Sequence, residues 1–201
     1  TGQPIDLSRN ISVSKALQMG CRYLFFIDSD TLMPPNCLDS LVNARMPIVS
    51  AVYRARGPPH NVIANKAGIP ITMEEVNKAA QLAVPLISVD DVGMGCCLID
   101  TRVFKAIGQT LNEWRCFRNH RGQLPNGKEY YVTDTKTAIT NNYRCAFCAG
   151  LIIARFFWSR LAMQNINALS EDYFFCMLAK QHNFPIMVNS RVFCNHESQF
   201  T

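Results

Sequence analysis

The chain has 201 residues, 48% of them hydrophobic, and its 20 Lys plus Arg against 15 Asp plus Glu leave a formal charge of +5. That length buries one core and is short for two independent domains. The mild basic excess fits anionic ligands such as phosphates but lacks the clustered Lys/Arg runs expected of a dedicated nucleic-acid binder. No uninterrupted apolar stretch reaches about 18 residues, so no transmembrane segment is expected. No secretory signal is visible either. A cytoplasmic, intracellular location is expected, with peripheral membrane contact as the alternative. Nine cysteines are many for an intracellular enzyme and an odd number for a complete disulfide framework. Cys21, Cys37, Cys96, Cys97, Cys176 and Cys194 lie in or beside apolar segments, where a free thiol acts as a small hydrophobe.

Residues 8–19 read as a helix capped by Ser8, with Ile11, Ala16 and Leu17 on one face and Gly20 as its stop. Residues 23–27 form an apolar run that suits a strand buried on both faces, as in the centre of a parallel sheet. It ends in Asp28-Ser29-Asp30. In extended backbone those two carboxylates point the same way, about 6–7 Å apart, and can serve one divalent cation. A strand followed by an Asp-rich turn is the plainer alternative. A helix over 36–44 and a strand over 47–53 then complete helix–strand–helix–strand spacing, which predicts a mostly parallel central sheet flanked by helices. The chain as given is expected to begin inside a βα unit and to lack the first strand.

Residues 54–60, broken by Gly57-Pro58-Pro59, read as a loop. Short antiparallel strands are expected around Ala67-Gly68, and a helix over 73–82. Residues 86–100 form an apolar strand region interrupted by Gly93-Met94-Gly95, glycines that suggest a bulge or close approach to a ligand. A helix over 101–107 follows, with Thr101 as its cap. Residues 108–142 are polar and resist assignment; a loop of that length is usually functional. The chain turns apolar again over 145–158. Ser170-Glu171-Asp172 opens a clear helix, with both acids at the positive end of its dipole. Strands over 185–188 and 191–194 close the chain, and His196 follows directly.

Asp28-Ser29-Asp30, Gly93-Met94-Gly95, Ser170-Glu171-Asp172 and Cys194-Asn195-His196 occur in that order, each at a strand end or helix start. In this the sequence resembles the GT-A-fold glycosyltransferases, particularly their family-2-like members, over nearly the whole chain from Arg9-Asn10 to His196. The resemblance implies a single GT-A-type, Rossmann-like α/β domain over residues 1–201, with a small antiparallel portion and a variable acceptor-side insertion over 108–169. It implies transfer of a sugar from a nucleotide-diphospho-sugar, UDP- or GDP-linked, to a hydroxyl of a glycan, protein or lipid-linked acceptor.

The roles follow from that resemblance. Asp30 would hold the metal directly, Asp28 would contact the ribose or complete the metal shell, and His196 would add a ligand. Mixed oxygen and imidazole donors suit Mn²⁺ or Mg²⁺, which would stabilise charge on the diphosphate leaving group. Asp172 would be the general base of an inverting transfer, with Glu171 beside it. Arg9 and Asn10, with Asp28 and Ser29, would lie on the donor nucleotide. Gly93, Met94 and Gly95 would border the donor sugar and acceptor, and Trp114 would stack on the acceptor or cover the core. Each residue has a bland reading in a surface arginine, a capped helix or a strand-end histidine; their order and context favour the site.

Outside that pattern, Cys116, His120, Cys145 and Cys148 offer four ligands at spacings compatible with a tetrahedral structural zinc; a disulfide or buried thiols account for them too. A nucleotidyltransferase on a related fold, or a non-catalytic carbohydrate- or nucleic-acid-binding module, are the competing functions.

Overall fold

The computed structural model describes residues 5–109, 114–116, 152–154, 156–157 and 170–196. In chain order these form α1 (Ile5–Gln18), β1 (Tyr23–Ile27), β2 (Thr31–Leu32), α2 (Cys37–Asn43), β3 (Ile48–Val52), β4 (Ala64–Lys66) and β5 (Ile69–Pro70). Then come α3 (Met73–Ala80), β6 (Leu86–Val89), β7 (Asp91–Val92), β8 (Cys96–Asp100), α4 (Thr101–Gly108), β9 (Trp114–Cys116) and β10 (Ile152–Ala154). The last elements are α5 (Glu171–Gln181), β11 (Ile186–Phe193) and β12 (Asn195–His196). The fold is mixed α/β. The chain divides into two compact units, Thr1–Arg22 with Thr101–Leu178 and Tyr23–Asp100 with Ala179–Thr201.

The second unit holds a five-stranded sheet in the order β1-β8-β3-β11-β6. The expectation of a mostly parallel sheet is overturned. Among the described strands only β11 and β3 pair in parallel; β1–β8, β3–β8 and β11–β6 are antiparallel. The reason is physical. Helix–strand spacing sets strand direction, and β1 and β3 do run the same way, but β8 inserts between them in reverse. β1 is therefore not a central strand: it ends the sheet order and pairs with β8 alone among the described strands. Phe26 is the one buried residue in it. β3, by contrast, is buried at all five positions. Its residues Val49 and Ala51 pack with Leu41 of α2, Leu98 of β8 and Val192 of β11.

Local chemistry explains the smaller elements. Ala67 and Gly68 both have positive φ, 52° and 76°, as the two-residue turn joining β4 to β5 requires. The carboxylate of Asp90 accepts from the Ala67 N–H at 2.5 Å and holds that turn. Thr72 and Glu75 close a capping box at the start of α3, each side chain accepting from the other's backbone N–H. The two closing strands expected from the sequence are one eight-residue strand, β11, with a register break between Asn189 and Phe193.

The first unit is organised on aromatic packing. Phe104 of α4 lies edge-on to Phe156 with ring centres 5.3 Å apart, and Phe157 stacks on Phe175 of α5 at 4.8 Å. α1 begins at Ile5, so Ser8 lies inside the helix instead of capping it. Thr101 does not cap its helix by side chain either; its hydroxyl donates to the carbonyls of Cys21 (2.6 Å) and Arg22 (3.2 Å). β9 and β10 pair antiparallel, with Ala154 opposite Trp114 and Ile152 opposite Cys116.

Candidate functional site

The mixed topology gathers the sequence motifs of the second unit at one end of its sheet. β1, β3 and β11 share a direction, so their carboxyl ends lie at the same edge, where α/β sheets carry ligands. Asp28–Asp30 follow β1, Arg54–Arg56 follow β3, and Cys194–His196 follow β11. β8 runs in reverse, which brings Gly93–Gly95, just before it, to that edge too.

Asp28-Ser29-Asp30 is a turn, not extended strand. The Thr31 N–H donates to the Asp28 carbonyl at 3.0 Å, and the Asp28 N–H donates to the Gly95 carbonyl, also at 3.0 Å. The extended-chain spacing of the two carboxylates therefore does not apply. Both acids are half-buried and Ser29 is exposed. Asp30 forms an ion pair with Arg56, an exposed residue of the loop after β3. Next to Asp30, the Thr31 hydroxyl is buried with no hydrogen-bond partner among the described residues. A buried hydroxyl without a hydrogen-bond partner fits a polar ligand. β2 and β12 then pair antiparallel, with His196 directly opposite Thr31. The motif at the start of the chain and the histidine near its end are thus neighbours in backbone register.

The glycines have a packing reason. A Cβ on Gly93 would run into the Tyr53 hydroxyl and come within 2.9 Å of Ile63 Cγ2. A Cβ on Gly95 would sit 3.0 Å from both Asp28 Oδ2 and the Tyr53 ring. The Gly95 N–H donates to the Tyr53 hydroxyl at 3.0 Å. Met94 is fully buried. This loop is shaped around Tyr53 and against Asp28, with the methionine side chain turned into the interior.

In the first unit, α1 places Arg9 and Asn10 on fixed partners. Arg9 is 6% exposed; its guanidinium donates to Glu171 Oε1 at 2.7 Å and pairs with the Asp172 carboxylate. The Arg9 charge also lies 5.8 Å from the centre of the Phe157 ring. Asn10 exchanges two hydrogen bonds with the Phe157 backbone, donating at 2.8 Å and accepting at 2.9 Å. Glu171 and Asp172 open α5 as expected, and Ser170 Oγ accepts from the Tyr173 N–H at 3.5 Å. Sequence reasoning placed Arg9 and Asn10 on the nucleotide; here their polar groups are tied to α5 and to the Phe157 backbone.

No protein-family model matches this chain, and no curated protein matches it. Among solved structures it is similar to the crystal structure of A197 from STIV. The TM-score is 0.50 at 12% identity, over 97% of this chain and 68% of that one. At that identity the likeness is one of fold alone.

Trp114 and Cys116 lie on the β9 backbone, whereas His120, Cys145 and Cys148 lie outside the described residues, as does nearly all of the expected 108–169 insertion. No helix among the described residues is long and apolar enough to cross a membrane.

Three features escaped sequence reasoning. Tyr53 and Arg56 belong to no motif; Tyr53 was read only as the end of a strand over 47–53, and Arg56 only as part of the loop over 54–60. Cys37, Cys96 and Cys194, all buried, converge with their sulfurs within 4.8 Å of one another. Thiol hydrogen bonds from Cys194 and Cys96 bring Cys37 down to about 4 against the effect of burial. The Cys96 and Cys194 thiols are pushed up, Cys96 chiefly by its bond with Cys194 and Cys194 chiefly by its bond with Cys37.

Proposed function

We propose that this chain is a metal-dependent glycosyltransferase of GT-A type, taking a sugar from a nucleotide-diphospho-sugar to an acceptor hydroxyl. The observation that carries the reading is the β2–β12 register. It sets His196 opposite Thr31, one residue beyond Asp30, at the sheet edge where Asp28 also lies. Two carboxylates, a histidine and the Thr31 hydroxyl would make a donor set suited to Mn²⁺ or Mg²⁺.

Asp28, Asp30 and His196 would hold the cation. When bound, it would act as a Lewis acid toward the departing diphosphate. Arg56, within reach of Asp30, supplies a guanidinium whose fork matches phosphate oxygens. Asp172 takes the proton of the acceptor hydroxyl as general base, oriented by Arg9, and Glu171 shares that arginine.

Titration calorimetry with UDP- and GDP-sugars, with and without Mn²⁺, tests the reading alongside an assay of donor hydrolysis and transfer. Metal-dependent binding and turnover are expected, both lost in Asp30→Ala. Asp172→Asn should keep binding and lose transfer. Binding without turnover in the unaltered chain would indicate a sugar-nucleotide-binding module. Full activity in both variants would overturn the site.

A further inference from the structure

We propose that Cys37, Cys96 and Cys194 form a second metal site, binding one thiophilic d¹⁰ cation, Zn²⁺ or Cu⁺, through three thiolates. The proposal stands apart from the glycosyltransferase reading and shares no residue with it. The three thiols come from the first turn of α2, the start of β8 and the residue after β11, and are 0%, 0% and 4% exposed. Cys37 and Cys96 sulfurs are 3.4 Å apart, and none of the three pairs exceeds 4.8 Å. An equilateral triangle with sides in that range has its centre about 2.0–2.8 Å from each corner, which brackets the ~2.3 Å zinc–thiolate bond.

Buried cysteines are ordinarily small hydrophobes. Cys97 and Cys176 are buried in that way and do not belong to the cluster. Three thiols converging from elements far apart in sequence ask for a further cause. Local bonds fix two of them: the Cys194 N–H donates to the Val52 carbonyl at 2.8 Å, and the Cys96 carbonyl accepts from Ser50 Oγ at 3.1 Å.

The surroundings choose the ion class. Thiolates select Zn²⁺ and Cu⁺ over Mg²⁺ or Mn²⁺. The packed neighbours Leu41, Val49, Ala51, Leu98 and Val192 are apolar, so residual charge is costly. Three thiolates leave −1 on Zn²⁺ and −2 on Cu⁺, which favours Zn²⁺. Binding is a proton exchange with no redox step: each thiol that ligates releases its proton to solvent. The bound ion would clamp α2, β8 and the end of β11 together.

The test uses the full chain with Cys116, Cys145 and Cys148 changed to Ser, so that the other candidate ligand set cannot contribute. The reduced protein is loaded anaerobically with Zn²⁺ in one arm and glutathione-buffered Cu⁺ in another, and stoichiometry is read by native mass spectrometry. One ion per chain is expected in at least one arm, and the arm that retains it identifies the ion. Binding should be lost in Cys37→Ala and Cys194→Ala and kept in Cys97→Ala. X-ray absorption of the bound ion must show three sulfur neighbours, a readout that stands even where an alanine variant fails to fold. The proposal is overturned by no stoichiometric ion in either arm, by fewer than three sulfurs, or by unchanged binding in folded Cys194→Ala. It is equally overturned if Cys37 and Cys96 are joined as a disulfide under these reducing conditions.

Discussion

The Tyr53 hydroxyl sits where a side chain on Gly93 would have to begin, and the same oxygen accepts the Gly95 N–H at 3.0 Å. One phenol therefore fixes both glycines of the loop before β8, and through Gly95 it backs the Asp28 turn.

Gly93→Ala should destabilise the chain by about 1–3 kcal/mol, the usual cost of forcing a methyl into packed space. Tyr53→Phe leaves the buried Gly95 N–H without its acceptor, at roughly 1–3 kcal/mol. It also removes the atom that Gly93→Ala strikes first. The double variant should then lose less than the sum of the single losses, measured as a coupling energy from urea melts. Strict additivity would mean that Tyr53 does not shape the loop.

Arg56 pairs with Asp30 and, on the proposed metal reading, would compete with the cation for it. An exposed ion pair is worth at most about 1 kcal/mol, so Arg56→Ala should tighten Mn²⁺ binding by roughly two- to fivefold. If the guanidinium also takes up the donor diphosphate, the same variant weakens nucleotide-sugar binding. Calorimetry of each ligand separately reads both signs; unchanged Mn²⁺ affinity would remove Arg56 from the site.

Arg9 holds two acids that are themselves largely buried, with side-chain exposures of 13% and 16%. Arg9→Ala should cost about 3–5 kcal/mol, because it leaves buried charge uncompensated. Asn10→Ala should cost roughly 1–3 kcal/mol by orphaning the Phe157 N–H and carbonyl. A loss under 0.5 kcal/mol in thermal or urea unfolding would show that α1 is not anchored this way.

Asp90 and Asp91 should titrate stability in opposite directions. Burial pushes Asp91 up from its ordinary value of 3.8, and the Asn65 hydrogen bond offsets this only in part. Its contribution is complete below 3.8 and is lost as pH rises through the raised folded value. The Lys180 hydrogen bond brings Asp90 down, so its contribution is present above the ordinary value and is lost as pH falls through the depressed one. Asp91→Asn should flatten the decline above 3.8, and Asp90→Asn the decline below it. Urea midpoints followed across pH check both slopes.

The sequence made the elements legible where local chemistry ends them. The β1 apolar run stops at Asp28, and strand and reading share the same limits, Tyr23–Ile27. Thr72 and Glu75 mark the α3 start by a local exchange of hydrogen bonds. Adjacency was not legible, because nothing near β1 or β3 encodes that β8 comes between them. The glycines were visible as close approach, but the approaching group, Tyr53, lies about 40 residues earlier. The cysteine trio had no spacing signature, since Cys37 and Cys96 are 59 residues apart. The histidine–Asp pairing was expected from motif order, and the β2–β12 register supplies a backbone neighbourhood for it.

No two of the five sheet strands that follow one another in sequence are paired. Among the described strands, Tyr23–Ile27 pairs only with Cys96–Asp100, and Ile48–Val52 only with Cys96–Asp100 and Ile186–Phe193, so each of these apolar segments is made well before its partners. Sheet closure waits for Ile186–Phe193. Such long-range pairing folds slowly and exposes sticky strands on the way. The strand that completes the described sheet, Ile186–Phe193, also leads directly into Cys194 and His196.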